Sequence, residues 1–252
     1  MKLLGPGSGV THREVSITDA AAVDALISRR RPDVVFNCAA YNAVDRAEKE
    51  RDLAFAVNGD GPRHLEVACR RIGASLVHFS TNFVFDGRHD QPYVEADHAD
   101  PISVYGRSKL AGERGVLEVG AHVVVVRTAA VYGGPNSFPM RILERAHAGE
   151  ELRVVSDQHV NPTFARDLAV AAVELAEQGI AGIVHAVADG CCGWDDFARA
   201  VLAEAGVEGE IRSVATAGYP AAARRPANGC LASTRIAPLR PWREALHEAL
   251  NP

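Results

Sequence analysis

Short runs of apolar residues alternate with helical patterns along this chain, and this alternation limits its fold more than any other feature. The run at 123–126 consists of four consecutive valines, which is typical of a strand that is buried on both faces. Similar runs predict strands at 2–4, 33–37, 75–81, 122–128, 152–156 and 183–188. Between them, apolar residues at helical spacing predict helices at 19–30, 43–58, 62–71, 103–118, 140–148, 165–177 and 194–205. Strands that alternate with helices through short connections predict an α/β fold with a doubly wound parallel sheet.

The length of 252 residues suits one α/β domain with a small additional lobe. The alternation loosens after about residue 150, and the stretch 215–228, which contains Gly and Pro, is typical of a long loop beside a cleft. We therefore expect a first domain at 1–150. We expect a smaller lobe at 151–252, interleaved with it, that mainly binds substrate over the carboxyl ends of the strands.

Composition excludes several function classes. The net charge of −5 leaves no basic surface for nucleic acid, and no stretch reaches the roughly 18 consecutive apolar residues of a membrane helix. We therefore expect a cytoplasmic protein that binds neither nucleic acid nor membrane. The five cysteines contain no C-x-x-C pair, so we expect reduced thiols and neither a metal site nor a disulfide framework.

The sequence Tyr105-Gly-Arg-Ser-Lys109 places a phenol and an ammonium on one face of a predicted helix, because residues four apart are neighbours there. The ammonium favours the phenolate and lowers the tyrosine pKa, which makes Tyr105 a candidate general acid or base. The same spacing also suits a packing pair with a solvated amine. Thr81 ends a predicted strand, where ligands of such sheets bind. Its hydroxyl is a candidate donor to a substrate carbonyl, although threonine is also a good strand former.

Six segments carry a resemblance to one family, in order and with matching spacing. They are NCAAYNAVDRAE at 37–48, FSTNFVFDG at 79–87, VYGRSKLAGE at 104–113, RTAAVYG at 127–133, NPTFARDL at 161–168 and RRPAN at 224–228. Together they resemble the dTDP-4-dehydrorhamnose reductases, which are extended short-chain dehydrogenase/reductases with a Rossmann-like dinucleotide-binding domain. Several independent motifs in order are far more specific than the tyrosine–lysine pair alone.

The resemblance implies an enzyme that transfers hydride from NADPH, or from NADH, to the C4 ketone of a dTDP-linked 4-keto-6-deoxy sugar. It implies that Tyr105 protonates the forming alkoxide, that Thr81 orients the carbonyl, and that Lys109 tunes the phenol and holds the nicotinamide ribose. It also implies a homodimer, and a dinucleotide lined by Ala39, Ala40 and Tyr41.

The N-terminal region departs from the family pattern. Only about fourteen residues separate the first predicted strand from Asp19, whereas a strand–helix–strand unit needs about thirty. We therefore expect the first helix of the nucleotide-binding unit to be missing, and NADPH to bind weakly without the helix N-terminus that receives a pyrophosphate. The sequence GPGSG at 5–9 suits a linker better than a phosphate loop. His12 and Arg13 follow where a 2′-phosphate would lie, and they equally suit solvated loop charges.

The substrate side departs as well. The family's aspartate and tyrosine are Asn82 and Phe83 here, and its tryptophan is Ala130, so we expect a different 4-keto sugar, or a different small ligand, to fit. Arg225 is a candidate partner for the substrate diphosphate, and a salt bridge within the small lobe explains it equally well. Two functions stay open. One is the reductase, and the other is a relative with weakened or lost cofactor binding that acts as a binding or regulatory subunit or as a cofactor-independent enzyme.

Overall fold

The computed structural model describes residues 9–120 and 122–251, and helices and strands alternate through them. The α-helices are α1 (Ala20–Arg30), α2 (Val44–Ala47), α3 (Arg51–Phe55), α4 (Gly61–Ile72), α5 (Val104–Val119), α6 (Phe138–His147), α7 (Ala165–Glu177), α8 (Trp194–Ala205) and α9 (Trp242–Leu250). The strands are β1 (Val34–Asn37), β2 (Ser75–Thr81), β3 (Val123–Thr128), β4 (Val131–Tyr132), β5 (Leu152–Val155), β6 (His159–Val160), β7 (Thr163–Phe164), β8 (Gly182–His185), β9 (Ala188–Asp189), β10 (Cys192–Gly193), β11 (Ile211–Val214) and β12 (Leu239–Pro241). No helix in these ranges is long and apolar enough to cross a membrane.

Parallel strands form the central sheet in the order β1-β2-β3-β8. Asn37 pairs with His78, and Thr81 pairs with Thr128, so the carboxyl ends of the first three strands lie along one edge. All six residues of β3 are buried, as expected for a central strand that is covered on both faces. The predicted α/β fold with a parallel sheet is therefore confirmed.

Helices cover both faces of this sheet. On one face, α1, α4 and α5 pack on β2 and β3 through an apolar cluster that includes Val23, Leu65 and Val116. On the other face, α7 packs on the same strands through Leu168 and Leu175. Helices α6, α8 and α9 share a separate cluster with β5. The division at residue 150 stays a prediction.

Most predicted elements match the observed ones to within a few residues, and two differ. The predicted helix 43–58 is divided into α2, α3 and a π-helical turn at Ala56–Asp60, because the chain bends to bring the buried Asn58 to the backbone of Tyr41. The predicted strand 183–188 ends at His185, since Ala188 pairs with β12 instead. The predicted strand 2–4 and residues 5–8 lie outside the described residues, and residues 9–19 form turns without a helix.

Two cysteines form a pair that the sequence did not predict. Cys191 and Cys230 are bonded to each other, with Cα atoms 6.0 Å apart, which corrects the expectation of reduced thiols throughout. Their separation of 39 residues forms no local motif, so sequence spacing gave no signal. The bond joins the loop after β9 to the segment that precedes Leu231.

Helix α5 crosses the end of β2 at Gly106. A side chain at this position would overlap the carbonyl oxygen of Phe83, so the glycine lets the first turn of α5 approach the turn at Asn82–Val84 closely. Gly115, on the same helix, is different. A side chain there would first meet Arg63 at 3.5 Å, which is an ordinary contact.

This difference predicts opposite effects of two identical substitutions. We expect Gly106→Ala to lower the unfolding free energy by about 1–3 kcal/mol, because the backbone of Phe83 must shift. We expect Gly115→Ala to raise it by about 0.4–1 kcal/mol, because alanine is better in a helix and restricts the unfolded chain. Urea unfolding of both variants checks this. If Gly106→Ala is as stable as the wild type, the close approach of α5 to Phe83 does not require a glycine.

Candidate active site

Thr81, Tyr105 and Lys109 converge at the carboxyl end of β2. All three side chains are buried. The Thr81 hydroxyl lies close enough to the Tyr105 phenol to lower its pKa, and it accepts a hydrogen bond from Phe83 N at 3.2 Å. The Phe83 ring packs edge-on against the Tyr105 ring with centroids 5.4 Å apart. The structure therefore brings the three predicted catalytic residues into one corner, at the edge of the sheet where ligands bind in such folds.

Two side chains fix the residue at which α5 begins. Ser103 Oγ accepts a hydrogen bond from Gly106 N at 3.1 Å, which is the usual N-cap interaction. Glu48 Oε1 accepts another from Val104 N at 2.8 Å. Because the cap precedes Tyr105 by two residues, the phenol lies in the first helical turn, directly beside the end of β2.

Lys109 is buried one helical turn after Tyr105, and its ammonium contacts β2. Its Nζ donates to the Phe79 carbonyl oxygen at 2.6 Å. Burial lowers the pKa of Lys109 to about 8, although the negative charge of Glu113 raises it. An ammonium has three N–H donors, so this group can also bind the hydroxyls of a ligand.

The protonation of Tyr105 differs from the expectation. Burial raises its pKa, the hydrogen bond with Thr81 lowers it, and Lys109 is not among the groups that shift it. The expected lowering of the Tyr105 pKa is therefore not observed, because burial of the phenol has the largest effect. The phenol is therefore protonated at neutral pH and can donate a proton.

A buried ion pair joins α5 to the central sheet. Arg127 of β3 donates to Glu113 of α5 through Nε at 2.9 Å and through Nη2 at 2.7 Å. Ser80 of β2 donates to the same carboxylate at 2.5 Å. The Arg127 guanidinium also lies over the Phe85 ring, 5.1 Å from its centroid. One carboxylate thus joins the helix to both central strands.

The loop at residues 39–41, which we call the β1 loop, is held by a buried amide. Asn58 Oδ1 accepts from Tyr41 N at 2.8 Å, and its Nδ2 donates to Tyr41 O at 3.1 Å and to Ser108 Oγ at 3.0 Å. Ala39 is exposed and Ala40 is half-buried, so the loop presents small side chains. Sequence reasoning missed Asn58. Its signal was a polar residue on the apolar face of a predicted helix.

His12 and Arg13 lie apart from these contacts. Both are exposed in a turn where Glu14 accepts a hydrogen bond from Thr11 N at 2.7 Å. Among the described residues, no hydrogen bond or ion pair joins either side chain to the β1 loop. Their contact with a 2′-phosphate stays a prediction.

Residues predicted on the substrate side occupy different environments. Asn82 is buried and donates from Nδ2 to the Gly229 carbonyl oxygen at 2.9 Å, whereas Phe83 is half-buried beside Tyr105. Ala130 follows β3 with φ of 43°, a left-handed conformation that non-glycine residues rarely adopt.

Arg225 is held in a bidentate ion pair. Its guanidinium donates to the two carboxylate oxygens of Asp45 at 3.1 and 2.7 Å, and also to the Ala223 carbonyl oxygen at 3.1 Å. The arginine lowers the pKa of Asp45. This is a salt bridge, but it joins the C-terminal segment to α2 instead of lying within the small lobe. The contact of Arg225 with a substrate diphosphate stays a prediction.

Comparison with known proteins assigns the family. Residues 6–252 match the family described as RmlD substrate binding domain. The chain belongs to this family. It is 42% identical over 254 residues to a dTDP-4-dehydrorhamnose reductase of Mycobacterium tuberculosis, an alignment that covers 96% of this chain and 83% of the relative. This membership confirms the resemblance that the six sequence segments carried.

Two solved structures show the same likeness in three dimensions. A dTDP-4-dehydrorhamnose reductase from Clostridium acetobutylicum superposes with a TM-score of 0.94 at 33% identity, covering 98% of this chain and 91% of that one. The Bacillus anthracis reductase, solved in complex with NADP, also gives a TM-score of 0.94 at 33% identity, with coverages of 96% and 88%. The RmlD-family fold is therefore present over nearly all of this chain.

Burial of Lys109 gives this RmlD-family chain a measurable pH dependence of stability. The pKa of this lysine falls from 10.5 to about 8 in the folded state, so between these values the unfolded state binds more protons. The unfolding free energy therefore rises with pH from about 8 to about 10.5. We expect Lys109→Met to lack this rise and to be more stable than the wild type at neutral pH. Urea unfolding across this range checks both, and parallel pH curves would contradict a folded pKa near 8.

Proposed function

We propose that this chain is a reductase that transfers hydride from NADPH to the C4 ketone of a dTDP-linked 4-keto-6-deoxy sugar. The observation that carries the proposal is the convergence of Thr81, Tyr105 and Lys109 in a member of the RmlD family. The reductase names of its relatives, and the NADP in one of their structures, support an NAD(P)-dependent oxidoreductase of the extended short-chain dehydrogenase/reductase type.

The described residues fit the nicotinamide end of such a cofactor. Lys109 keeps N–H donors beyond the one that Phe79 engages, and these suit the two ribose hydroxyls. The β1 loop offers small side chains at Ala39 and Ala40, where a dinucleotide can approach the backbone closely, and a Tyr41 backbone that Asn58 holds in place. When bound, NADPH supplies the hydride. In this proposal His12 and Arg13 face its 2′-phosphate.

Tyr105 is the proton donor in the proposed reaction. Because its raised pKa keeps the phenol protonated, Oη can deliver a proton to the oxygen at C4 as that oxygen gains negative charge. Thr81, which already contacts the phenol, orients the substrate carbonyl toward it. In this proposal Lys109 acts by holding the nicotinamide ribose through its N–H donors, and not by shifting the pKa of Tyr105.

The alternative functions are not favoured. They rested on the short N-terminal region, whereas the Mycobacterium tuberculosis relatives that match 96% of this chain carry a reductase name. A binding subunit also has no need for a buried lysine, a phenol and a hydroxyl at one strand end.

The sugar is selected in this proposal by the residues that differ from the family pattern. Phe83 packs against the Tyr105 ring, and Asn82 and Ala130 follow the ends of β2 and β3. Arg225 takes the diphosphate in exchange for Asp45. We also propose a cytoplasmic homodimer, which the resemblance implies. Light scattering after size-exclusion chromatography tests the assembly.

We expect Tyr105→Phe to lower the turnover of NADPH and a dTDP-4-keto-6-deoxy sugar by about 10²–10⁴-fold, because it removes the proton donor. Its melting temperature and its Kd for NADPH should stay near the wild-type values, since only a hydroxyl is lost. Loss of NADPH absorbance, with product identified by NMR, measures turnover. Tyr219→Phe, which removes a hydroxyl from an exposed tyrosine, is the matched control and should retain activity. If Tyr105→Phe keeps most of its turnover, Tyr105 is not the acid.

A further inference from the structure

The amide of Asn37 lies at the junction between β1 and the β1 loop. Asn37 is the last residue of β1 and is 4% exposed. Its Oδ1 accepts a hydrogen bond from Ala39 N at 3.1 Å, and its Nδ2 lies 3.1 Å from Nδ1 of His78. This side chain therefore connects the backbone of the β1 loop to the interior of the sheet.

These two contacts determine which nitrogen of His78 carries the proton. The backbone N–H of Ala39 can only donate, so the amide oxygen of Asn37 must face it and the amide nitrogen must face His78. An amide nitrogen also only donates, so Nδ1 of His78 must be an unprotonated acceptor. In the neutral imidazole, the proton then sits on Nε2.

The surroundings keep this imidazole neutral. His78 is fully buried in β2, and the parallel register places it directly beside Asn37. Burial, and then the positive charge of Lys109, hold the pKa of His78 well below its usual range. A second proton would sit on Nδ1 and face the Asn37 amide protons. The charged form is therefore opposed by the hydrogen bond as well as by burial.

Asn58 holds the other end of the same loop. Its amide bonds both the N–H and the C=O of Tyr41, while Asn37 holds the N–H of Ala39. The β1 loop is thus fixed at both ends in the ligand-free protein. A loop that is already ordered loses less conformational entropy when a ligand packs on it, so these buried amides increase the affinity for such a ligand.

We propose that His78 and Asn37 form a positioning pair for the dinucleotide. The imidazole, protonated on Nε2, orients the Asn37 amide, and this amide holds Ala39 in the conformation that the cofactor meets. The identity of the ligand rests on the proposed function, whereas the hydrogen bonds do not. Neither side chain touches the reacting atoms, so both act through the β1 loop.

Measurements on the ligand-free protein test the pair itself. Long-range ¹H–¹⁵N NMR should show wild-type His78 as the Nε2–H tautomer, without titration between about pH 5 and 8. Asn37→Asp cannot donate to Nδ1, so it should move the proton of His78 to that nitrogen. A wild-type His78 that is charged or protonated on Nδ1 would overturn the proposal.

Amide exchange tests whether the pair holds the loop. We expect His78→Leu to speed exchange of the Ala39 amide by about tenfold or more, because Asn37 loses its acceptor and reorients. The Tyr41 amide, which Asn58 holds, is an internal control and should change much less. Equal exchange of Ala39 in the wild type and in His78→Leu would contradict the positioning role.

Cofactor titration connects the pair to function. We expect His78→Leu to raise the Kd for NADPH by about tenfold, the effect of one lost hydrogen bond, and to raise it more than it lowers kcat. His78→Asn keeps an acceptor near the position of Nδ1 and should recover most of the affinity, which a packing defect alone would not allow. If the wild type does not bind NADPH, the proposed function is refuted. The tautomer of His78 and the exchange rate of the Ala39 amide then still test whether His78 and Asn37 hold the loop. A wild type that binds NADPH no better than His78→Leu refutes the positioning role alone.

Discussion

The buried ion pair between Glu113 and Arg127 is the constraint on which the site depends. The carboxylate of Glu113 lies one helical turn after Lys109 in α5, and it is shared by Arg127 of β3 and Ser80 of β2. A buried charge costs several kcal/mol unless it is paired and hydrogen-bonded. Helix α5 therefore cannot slide along the sheet without leaving a charge unpaired. The other end of the same helix, which carries Tyr105, is held in register with the end of β2.

Burial then sets the protonation of the groups around the phenol. It raises the pKa of Tyr105, lowers that of Lys109 to about 8 and holds His78 neutral. The result is a protonated phenol at the end of β2, which suits proton donation to a carbonyl oxygen as the carbonyl is reduced. The neutral imidazole has a different consequence, since it can accept from Asn37 and so fix the β1 loop. One cause, the exclusion of water from the end of β2, thus prepares both the acid and the binding surface.

Sequence patterns predicted the sheet because buried parallel strands read as continuous apolar runs, of which β3 is the plainest example. They also predicted Thr81, Tyr105 and Lys109, since spacing and strand ends determine where those side chains emerge. Sequence patterns could not predict contacts between segments that are far apart in the chain. The pairing of Arg225 with Asp45, the bond between Cys191 and Cys230, and the clamp of Asn58 on Tyr41 all join residues that no local pattern relates. The direction of the Tyr105 pKa shift was wrong for the same reason, because it depends on the burial and hydrogen bonds that only the packed structure defines.

The central claim is that the Glu113–Arg127 pair fixes α5 against the sheet, and a double-mutant cycle tests it most directly. Urea unfolding would compare Glu113→Leu, Arg127→Met and the double variant with the wild type. Each single substitution leaves one buried charge unpaired, so we expect each to lower the unfolding free energy by about 3–5 kcal/mol. The double variant removes both charges of the pair and should lose much less than the sum of the two. Single variants within about 1 kcal/mol of the wild type, or losses that simply add, would contradict the claim that this pair holds the helix in place.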